Sequence, residues 1–131
     1  MFTLPIRVYY EDTDAGGVVY YANYLKFYER ARTEWLRQLD VDQVAVAQEL
    51  DTVFAVRHIE VDYLRAARLD DQLTVTVTVK EMRRATIVFE QSILRGEEAV
   101  SKATVKICCM SPSKLSACEI PPFIRERLPS T

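Results

Sequence analysis

Length, composition and charge narrow the classes to which this protein can belong. The chain has 131 residues, 49% of them hydrophobic and 27% charged, which predicts one folded domain over residues 1–131 and argues against disorder. The net charge is −2 and no stretch is rich in Lys and Arg, so nucleic acid is not an expected partner. No apolar run approaches the roughly 20 residues of a transmembrane helix, so an integral membrane protein is not expected either.

The predicted elements begin with a short strand and a long helix. Residues Ile6–Tyr10 are β-branched and aromatic, which predicts a strand, and turn-forming residues follow over 11–17. From Asn23 to about Leu39, apolar residues recur at spacings of three and four, which predicts a helix with Asn23 as its N-cap. A short second helix is predicted over Asp42–Leu50, with Asp42 as its cap.

Four strands are predicted after the helices. They span Val53–Leu64, Leu73–Val79, Thr86–Leu94 and Ala99–Met110, with a hairpin turn at Arg95–Glu98 and a last helical turn within Phe123–Leu128. In the first of these strands, simple alternation places Ile59 on one face and Val56 and His58 on the other. Successive strands beside one long helix predict an α+β domain, with an antiparallel sheet packed on that helix.

Two residue counts limit the available chemistry. The single histidine, His58, excludes a multi-histidine metal site within one chain, and a Ser-His or Cys-His nucleophile would have to use it. Because His58 falls on the polar face of its predicted strand, a solvated or paired imidazole is expected. Cys108, Cys109 and Cys118 are odd in number and lack a C-x-x-C spacing, which indicates reduced thiols in a cytoplasmic protein.

The segment Asp12–Asn23 contains the residues best suited to chemistry. It combines two carboxylates, the adjacent Gly16 and Gly17, and a predicted helix N-terminus. Glycines allow unusual backbone dihedrals, and free N–H groups at a helix start can stabilise a developing oxyanion. A carboxylate in this place can serve as nucleophile or general base toward an ester-like carbonyl. The same residues are also typical of an ordinary strand-to-helix turn, and their spacing alone favours that interpretation.

Three segments resemble the motifs of a known enzyme family. Residues 7–24 read RVYYEDTDAGGVVYYANY, residues 29–34 read ERARTE, and residues 63–71 read YLRAARLDD. These segments resemble the 4-hydroxybenzoyl-CoA thioesterase family, and they are most similar to its Tol-Pal-associated branch of acyl-CoA thioesterases. The resemblance runs from about residue 5 to residue 112.

The resemblance implies a hotdog fold, in which an antiparallel β-sheet wraps around one long central α-helix. Such domains form homodimers with a continuous sheet and often assemble further into homotetramers, with active sites at the dimer interface. The implied activity is the cytoplasmic hydrolysis of an acyl-CoA to the free acid and coenzyme A, without a metal or redox cofactor. Short-chain aliphatic and aromatic acyl groups both remain open, and acyl carrier protein is a further candidate partner.

The resemblance also implies roles for individual residues. By position, Asp14 is the catalytic carboxylate, which attacks the thioester carbonyl or activates the water that does so. The backbone N–H of Tyr21 is the group that polarises the carbonyl, and Gly16 and Gly17 shape the turn between them. The Tol-Pal-associated branch commonly has histidine where this chain has Tyr21. The backbone N–H survives that change, whereas a histidine side chain that could help to activate water is lost. Asp12 is expected to be a turn or capping residue.

Coenzyme A carries phosphates, so basic residues are expected at the mouth of the site. Arg83 and Arg84, at the turn between two predicted strands, are the candidates, with Arg65 and Arg68 behind them. Surface solubility explains each of these arginines equally well.

Two alternative functions stay open. One is a non-catalytic hotdog module that binds acyl-CoA or acyl carrier protein, which would not need a working carboxylate. The other is a hotdog hydratase acting on enoyl thioesters, which normally pairs a histidine with an acid in its motif. The presence of Asp14 and the position of His58 argue against them.

Overall fold

The computed structural model describes residues 1–129 and contains one antiparallel sheet with three helices. The strands are β1 (Phe2–Arg7), β2 (Val53–Tyr63), β3 (Gln72–Met82), β4 (Thr86–Arg95), β5 (Glu98–Ser111) and β6 (Ser116–Ala117). The helices are α1 (Asn23–Gln38), α2 (Gln43–Leu50) and α3 (Pro122–Arg127). The strand order is β1-β3-β4-β5-β2, and β6 pairs with the end of β5. The predicted α+β class and the main helix are confirmed.

Helix α1 packs its apolar face on the sheet. Tyr24, Phe27, Tyr28, Ala31 and Trp35 are buried, as their spacing predicts, and the helix contacts β1, β3 and β4. The Trp35 ring packs against the rings of Phe2 and Phe89, with centroid distances of 6.3 and 6.2 Å. None of the helices within residues 1–129 is long and apolar enough to cross a bilayer.

The inner face of the sheet is built by strict alternation. Leu73, Val75 and Val77 of β3 are fully buried and Val79 is nearly so, while the intervening threonines lie on the other face. Burial of each such side chain contributes about 1.5–3 kcal/mol relative to its exposure. The predicted alternation in this strand is therefore confirmed.

Two predicted features at the start of the chain are wrong. The first strand covers Phe2–Arg7 instead of Ile6–Tyr10, because the Asp12 carboxylate accepts the Tyr9 N–H at 2.8 Å and turns the backbone into a 3-10 turn. Pro5 is tolerated within β1 because this strand lies at the edge of the sheet. Asn23 is the first helical residue and not the N-cap of α1, since its side-chain amide donates to the Asp12 carbonyl at 2.9 Å.

The predicted faces of β2 are also wrong beyond Val56. The pairing of β2 with β5 shifts between Val56 and His58, so Arg57 is an extra residue in a β-bulge. As a result Val56, opposite Ile107, and Ile59, opposite Val105, lie on the same face. A bulge moves every later residue of the strand to the opposite face of the sheet. The alternation of residues in one strand cannot reveal this.

Buried hydrogen bonds connect α1 to the sheet. Gln91 Oε1 accepts from Arg32 at 2.8 Å, and Gln91 Nε2 donates to the Tyr28 carbonyl at 3.1 Å. The Tyr28 hydroxyl donates to Ser101 Oγ at 2.6 Å, and Ser101 donates to the Asp62 carbonyl at 2.8 Å. These bonds hold the helix in one register on β4 and β5.

Candidate active site

The loop that carries Asp14 is a small hairpin bonded to the segment before β3. Thr13 and Val19 form a bridge, and the Asp14 N–H donates to the Val18 carbonyl at 2.9 Å. Val18 in turn bridges Arg68, and the Val19 N–H donates to the Ala67 carbonyl at 2.8 Å. The structure thus joins the two motif segments around residues 7–24 and 63–71. We call residues 12–21 the Asp14 loop.

Asp14 lies on the surface of its loop with one oxygen held. Its Oδ1 accepts the Gly16 N–H at 2.8 Å, and its carbonyl accepts the Gly17 N–H at 3.0 Å. Within residues 1–129 no group donates to Oδ2. The carboxylate is therefore oriented by the turn while one oxygen is available to water or to a substrate carbonyl.

The backbone N–H of Tyr21 lies just before the N-terminus of α1. Neighbouring N–H groups are used locally: Tyr20 donates to the Asp12 carbonyl at 2.9 Å and Asn23 to the Tyr20 carbonyl at 2.8 Å. The Tyr21 N–H has no acceptor among the described residues. A free N–H at the positive end of the helix dipole is suited to hold a developing negative charge on an oxygen.

An aromatic cluster lies beside this N–H group. The Tyr21 ring lies 4.9 Å from that of Tyr20 and 5.9 Å from that of Tyr63, while Tyr24 and Tyr63 are 5.6 Å apart. Burial raises the pKa of Tyr24 and Tyr63, so both hydroxyls stay neutral at physiological pH. Tyr63 was not expected at the site, because only the fold brings the end of β2 beside the Asp14 loop.

Asp12 supports the loop instead of facing a ligand. Its side chain is buried and accepts the Tyr9 N–H, while its carbonyl accepts from both Tyr20 and Asn23. This agrees with the expected turn or capping role.

A second carboxylate, Asp71, supports the loop from behind, and sequence reasoning did not identify it. Asp71 Oδ2 accepts the Arg68 N–H at 2.9 Å and the Arg95 guanidinium at 2.8 Å. Burial alone would raise the pKa of Asp71, but these two hydrogen bonds outweigh it and hold that pKa below its usual range.

Arg83 and Arg84 are not near Asp14 within one chain. They follow β3, whereas the Asp14 loop is bonded to the segment that precedes β3, so the 11-residue strand separates them by roughly 30 Å. Arg83 forms an ion pair with Glu81 at 3.1 Å. The backbone of Arg68 forms a β-bridge with Val18 of the Asp14 loop. The side chain of Arg65 forms an ion pair with Glu98, with 3.8 Å between Nε and Oε2.

The histidine and the cysteines lie outside the Asp14 loop. His58 is exposed, and its Nε2 lies 3.2 Å from Glu60 Oε1, as expected for a solvated or paired imidazole. All three cysteines are free, and Cys108 and Cys109 are buried. Burial raises the pKa of Cys109 to about 12, which leaves it an unreactive thiol at neutral pH.

Comparison with known proteins agrees with this geometry. The family model of the thioesterase-like superfamily matches residues 8–128. The acyl-CoA thioesterase YbgC of Haemophilus influenzae is 48% identical over 124 residues, covering 95% of this chain and 91% of that protein. A 1,4-dihydroxy-2-naphthoyl-CoA hydrolase of Acaryochloris marina is 28% identical over 115 residues, covering 86% and 82%.

A solved structure supports the same assignment. The crystal structure of a probable thioesterase from Bartonella henselae superposes with a TM-score of 0.86 at 34% identity, covering 91% of this chain and 98% of that one. The resemblance found in the sequence motifs is confirmed, and the sheet and central helix have the hotdog arrangement. The chain belongs to the thioesterase-like superfamily.

Proposed function

We propose that this thioester hydrolase cleaves a short-chain aliphatic or aromatic acyl-CoA to the free acid and coenzyme A, using Asp14 and the Tyr21 N–H. The observation that carries the proposal is their position in one loop. Asp14 has an oxygen without a partner among residues 1–129, and Tyr21 has a backbone N–H without an acceptor among them, beside the start of α1. A carboxylate and an oxyanion donor are the two groups that acyl transfer to water requires.

Two routes use the same groups. As a general base, Asp14 Oδ2 takes a proton from a water molecule while the water oxygen attacks the thioester carbonyl. As a nucleophile, Asp14 attacks the carbonyl itself, and water then hydrolyses the mixed anhydride. In both routes the Tyr21 N–H stabilises the oxyanion, and the C–S bond breaks as the thiolate of coenzyme A leaves and is protonated. Neither route needs a metal or redox cofactor.

Release of free thiol from a panel of acyl-CoAs tests the proposal. The panel comprises acetyl-, butyryl-, hexanoyl-, benzoyl- and 4-hydroxybenzoyl-CoA. The Asp14→Asn variant retains the side-chain shape but loses the base, so we expect kcat to fall by about 10²-fold or more. Asp70→Asn, at an exposed carboxylate in the turn before β3, is the matched control and keeps its activity.

The outcomes separate the alternative functions. Thiol release by Asp14→Asn at the wild-type rate contradicts the mechanism. Binding of acyl-CoA without thiol release favours a binding module, and hydration of an enoyl-CoA favours a hydratase. Label found in the Asp14 carboxylate after a single turnover in H₂¹⁸O establishes the nucleophilic route, because it enters there only when water attacks the Asp14 carbonyl of the mixed anhydride.

The proposed assembly is a homodimer that pairs further into a homotetramer. Strand β2 is an edge strand, and within residues 1–129 it pairs with β5 alone, so a second β2 can pair with it and continue the sheet. Antiparallel pairing would place the Tyr63 end of one chain beside the Val53 end of the other. Near the Val53 end of β2, Ala55 pairs with Cys108 of β5, and Cys108 also pairs with Thr86 of β4. Arg83 and Arg84 come just before Thr86, so they lie at this same end of the sheet. This supports Arg83 and Arg84 as contacts to coenzyme A phosphates lent by the second subunit.

The free thiols support a cytoplasmic location, since reduced cysteines are the norm in that compartment. Acyl carrier protein is a second candidate carrier of the acyl group, and the same assay with acyl-loaded carrier protein tests it.

A further inference from the structure

The turn between β3 and β4 is held in place through its main chain. The Arg83 N–H donates to the Thr86 carbonyl at 2.9 Å, which closes the turn. The carbonyls of Arg83, Arg84 and Ala85 each accept a hydrogen bond from a residue outside the turn. The side chains of Arg83 and Arg84, in contrast, are exposed. The main chain of the turn is therefore fixed, while both guanidinium groups are accessible to a ligand.

Hydrogen bonds to the first two of these carbonyls come from residues 118–128, which we call the α3 segment. The Arg125 guanidinium donates through Nη2 to the Arg83 carbonyl and, at 3.3 Å, to the Arg84 carbonyl. The Ile120 N–H donates to the Arg84 carbonyl at 2.8 Å. One arginine side chain thus connects α3 to the main chain of both arginines in the turn.

The α3 segment is itself anchored to the rest of the domain. The side chains of Ile120 and Ile124 are fully buried, and that of Leu128 is nearly so. The Arg127 guanidinium donates at 2.9 Å to the Asp40 carbonyl, just beyond the end of α1. A segment fixed at both of these places can hold the turn at a constant position relative to the core.

Arg125 forms no ion pair within residues 1–129, and its hydrogen bonds there go to main-chain carbonyls. Its guanidinium is a rigid planar fork of donors, so it fixes the place of an accepting carbonyl. Recognition of a phosphate by arginine depends on the same planar geometry, so the direction of each guanidinium matters as well as its charge. Side chains that start from a fixed main chain also lose less conformational entropy on binding.

We propose that Arg125 is a positioning residue for coenzyme A, which holds the turn so that Arg83 and Arg84 present their guanidinium groups to the phosphates. The inference rests on the proposed function, in which these two arginines contact the phosphates of coenzyme A. Arg125 then affects the affinity for the phosphate-bearing part of the substrate and leaves cleavage of the thioester at Asp14 unaffected.

Hydrolysis of the same acyl group on two carriers tests the proposal. Coenzyme A bears phosphates, whereas pantetheine has the same thiol arm without them, and the acyl group is the one in the panel that the wild type hydrolyses fastest. In Arg125→Met we expect KM for the acyl-CoA to rise about three- to tenfold with kcat almost unchanged, because the phosphate contacts are displaced. KM for the acyl-pantetheine should keep its wild-type value, since it has no phosphate to be contacted.

Arg127→Met is the matched control. Arg127 lies on the same helix and also donates to a main-chain carbonyl, but at the end of α1 and not at the turn. We expect this variant to leave KM for both carriers unchanged. Arg125→Lys keeps one charged donor and should give a KM for acyl-CoA between those of the wild type and Arg125→Met. Circular dichroism verifies that all three variants are folded.

Adding Arg125→Met to Arg83→Ala/Arg84→Ala separates positioning from direct contact. If Arg125 acts through the two arginines, the triple variant has the same KM for acyl-CoA as the double variant. A further rise would mean that Arg125 contacts a phosphate itself, which overturns the proposal. An equal rise in KM for both carriers in Arg125→Met, or the same rise in Arg127→Met, also overturns it.

Failure of this inference and failure of the proposed function give different results. A raised KM for acyl-CoA in the double variant, without one in Arg125→Met, overturns this inference alone. A wild-type KM in the double variant overturns the proposed arginine contacts and this inference with them.

Discussion

Gly16 and Gly17 support Asp14 for two different physical reasons. Gly17 has a φ of +76°, a left-handed conformation that strains any residue with a Cβ, although no atom lies within 4 Å of where the Cβ would be. A Cβ on Gly16 would lie 3.2 Å from Asp14 Oδ1, which is a tight contact. A methyl group at Gly17 thus strains the turn, whereas one at Gly16 pushes against the carboxylate.

At the residue scale, Gly17→Ala is expected to lower both stability and activity. The left-handed φ should reduce the free energy of unfolding by about 1–2 kcal/mol, measured by urea denaturation. We expect kcat to fall as well, because the turn that carries Asp14 has to adjust. Gly96→Ala is the matched control, since Gly96 has a φ of +63° at the β4–β5 hairpin. An equal fall in kcat for Gly96→Ala would show that the lower activity of Gly17→Ala comes from lower stability and not from a change in the Asp14 loop.

At the scale of elements, α1 is held on the sheet by polar as well as apolar contacts. A buried hydrogen bond depends on distance and angle, so it is formed in one register of the helix only. Tyr28 provides two such contacts, through its hydroxyl to Ser101 and through its carbonyl to Gln91. Burial raises the pKa of Tyr28, so the hydroxyl is neutral at physiological pH and can donate to Ser101.

Tyr28→Phe tests this connection between helix and sheet. Removal of the hydroxyl leaves Ser101 Oγ without its donor and should lower the free energy of unfolding by about 1 kcal/mol. The expected result is a lower urea midpoint with an unchanged m-value. Tyr10→Phe, whose side chain is largely exposed, is the control and should leave the midpoint in place. Equal midpoints for the two variants would show that the buried bond contributes nothing.

At the scale of the whole molecule, the two edges of the sheet differ. Strand β1 has six residues and includes Pro5, which lacks an N–H donor, so this edge is poorly suited to pairing. Strand β2 has 11 residues and no proline, and its outer edge is open within residues 1–129. This asymmetry favours β2 as the edge at which a second copy pairs.

Mixing two inactive variants tests whether one site uses two subunits. Asp14→Asn and the double variant Arg83→Ala/Arg84→Ala are each expected to have low kcat/KM on acyl-CoA. If the arginines come from the second subunit, random reassociation makes half of the dimers mixed, each with one intact site. About a quarter of wild-type activity is then recovered. Recovery of no activity, in mixtures that native mass spectrometry shows to contain the mixed dimer, would contradict the shared site.

The sequence by itself determined those features that depend on neighbours along the chain. The spacing of Tyr24, Tyr28 and Trp35 predicted α1, because one face of a helix is buried as a unit. Asp42 predicted the start of α2, since its carboxylate accepts the N–H groups of the first turn. The motif around Asp14 predicted the family, which the comparisons confirm.

Only the tertiary structure decided the features that depend on residues far apart in the chain. The bulge at Arg57 is visible only in the pairing of β2 with β5, and it reverses the faces that alternation predicts. Tyr63 of β2 contacts Tyr21, which precedes α1, and Gln91 of β4 accepts a hydrogen bond from Arg32 of α1. Both contacts exist because the folded sheet brings these strands to the helix. The 11 residues of β3 also separate Arg83 from Asp14, a distance that follows from the rigid extension of a strand. These relations arise from packing between distant segments, which local patterns do not encode.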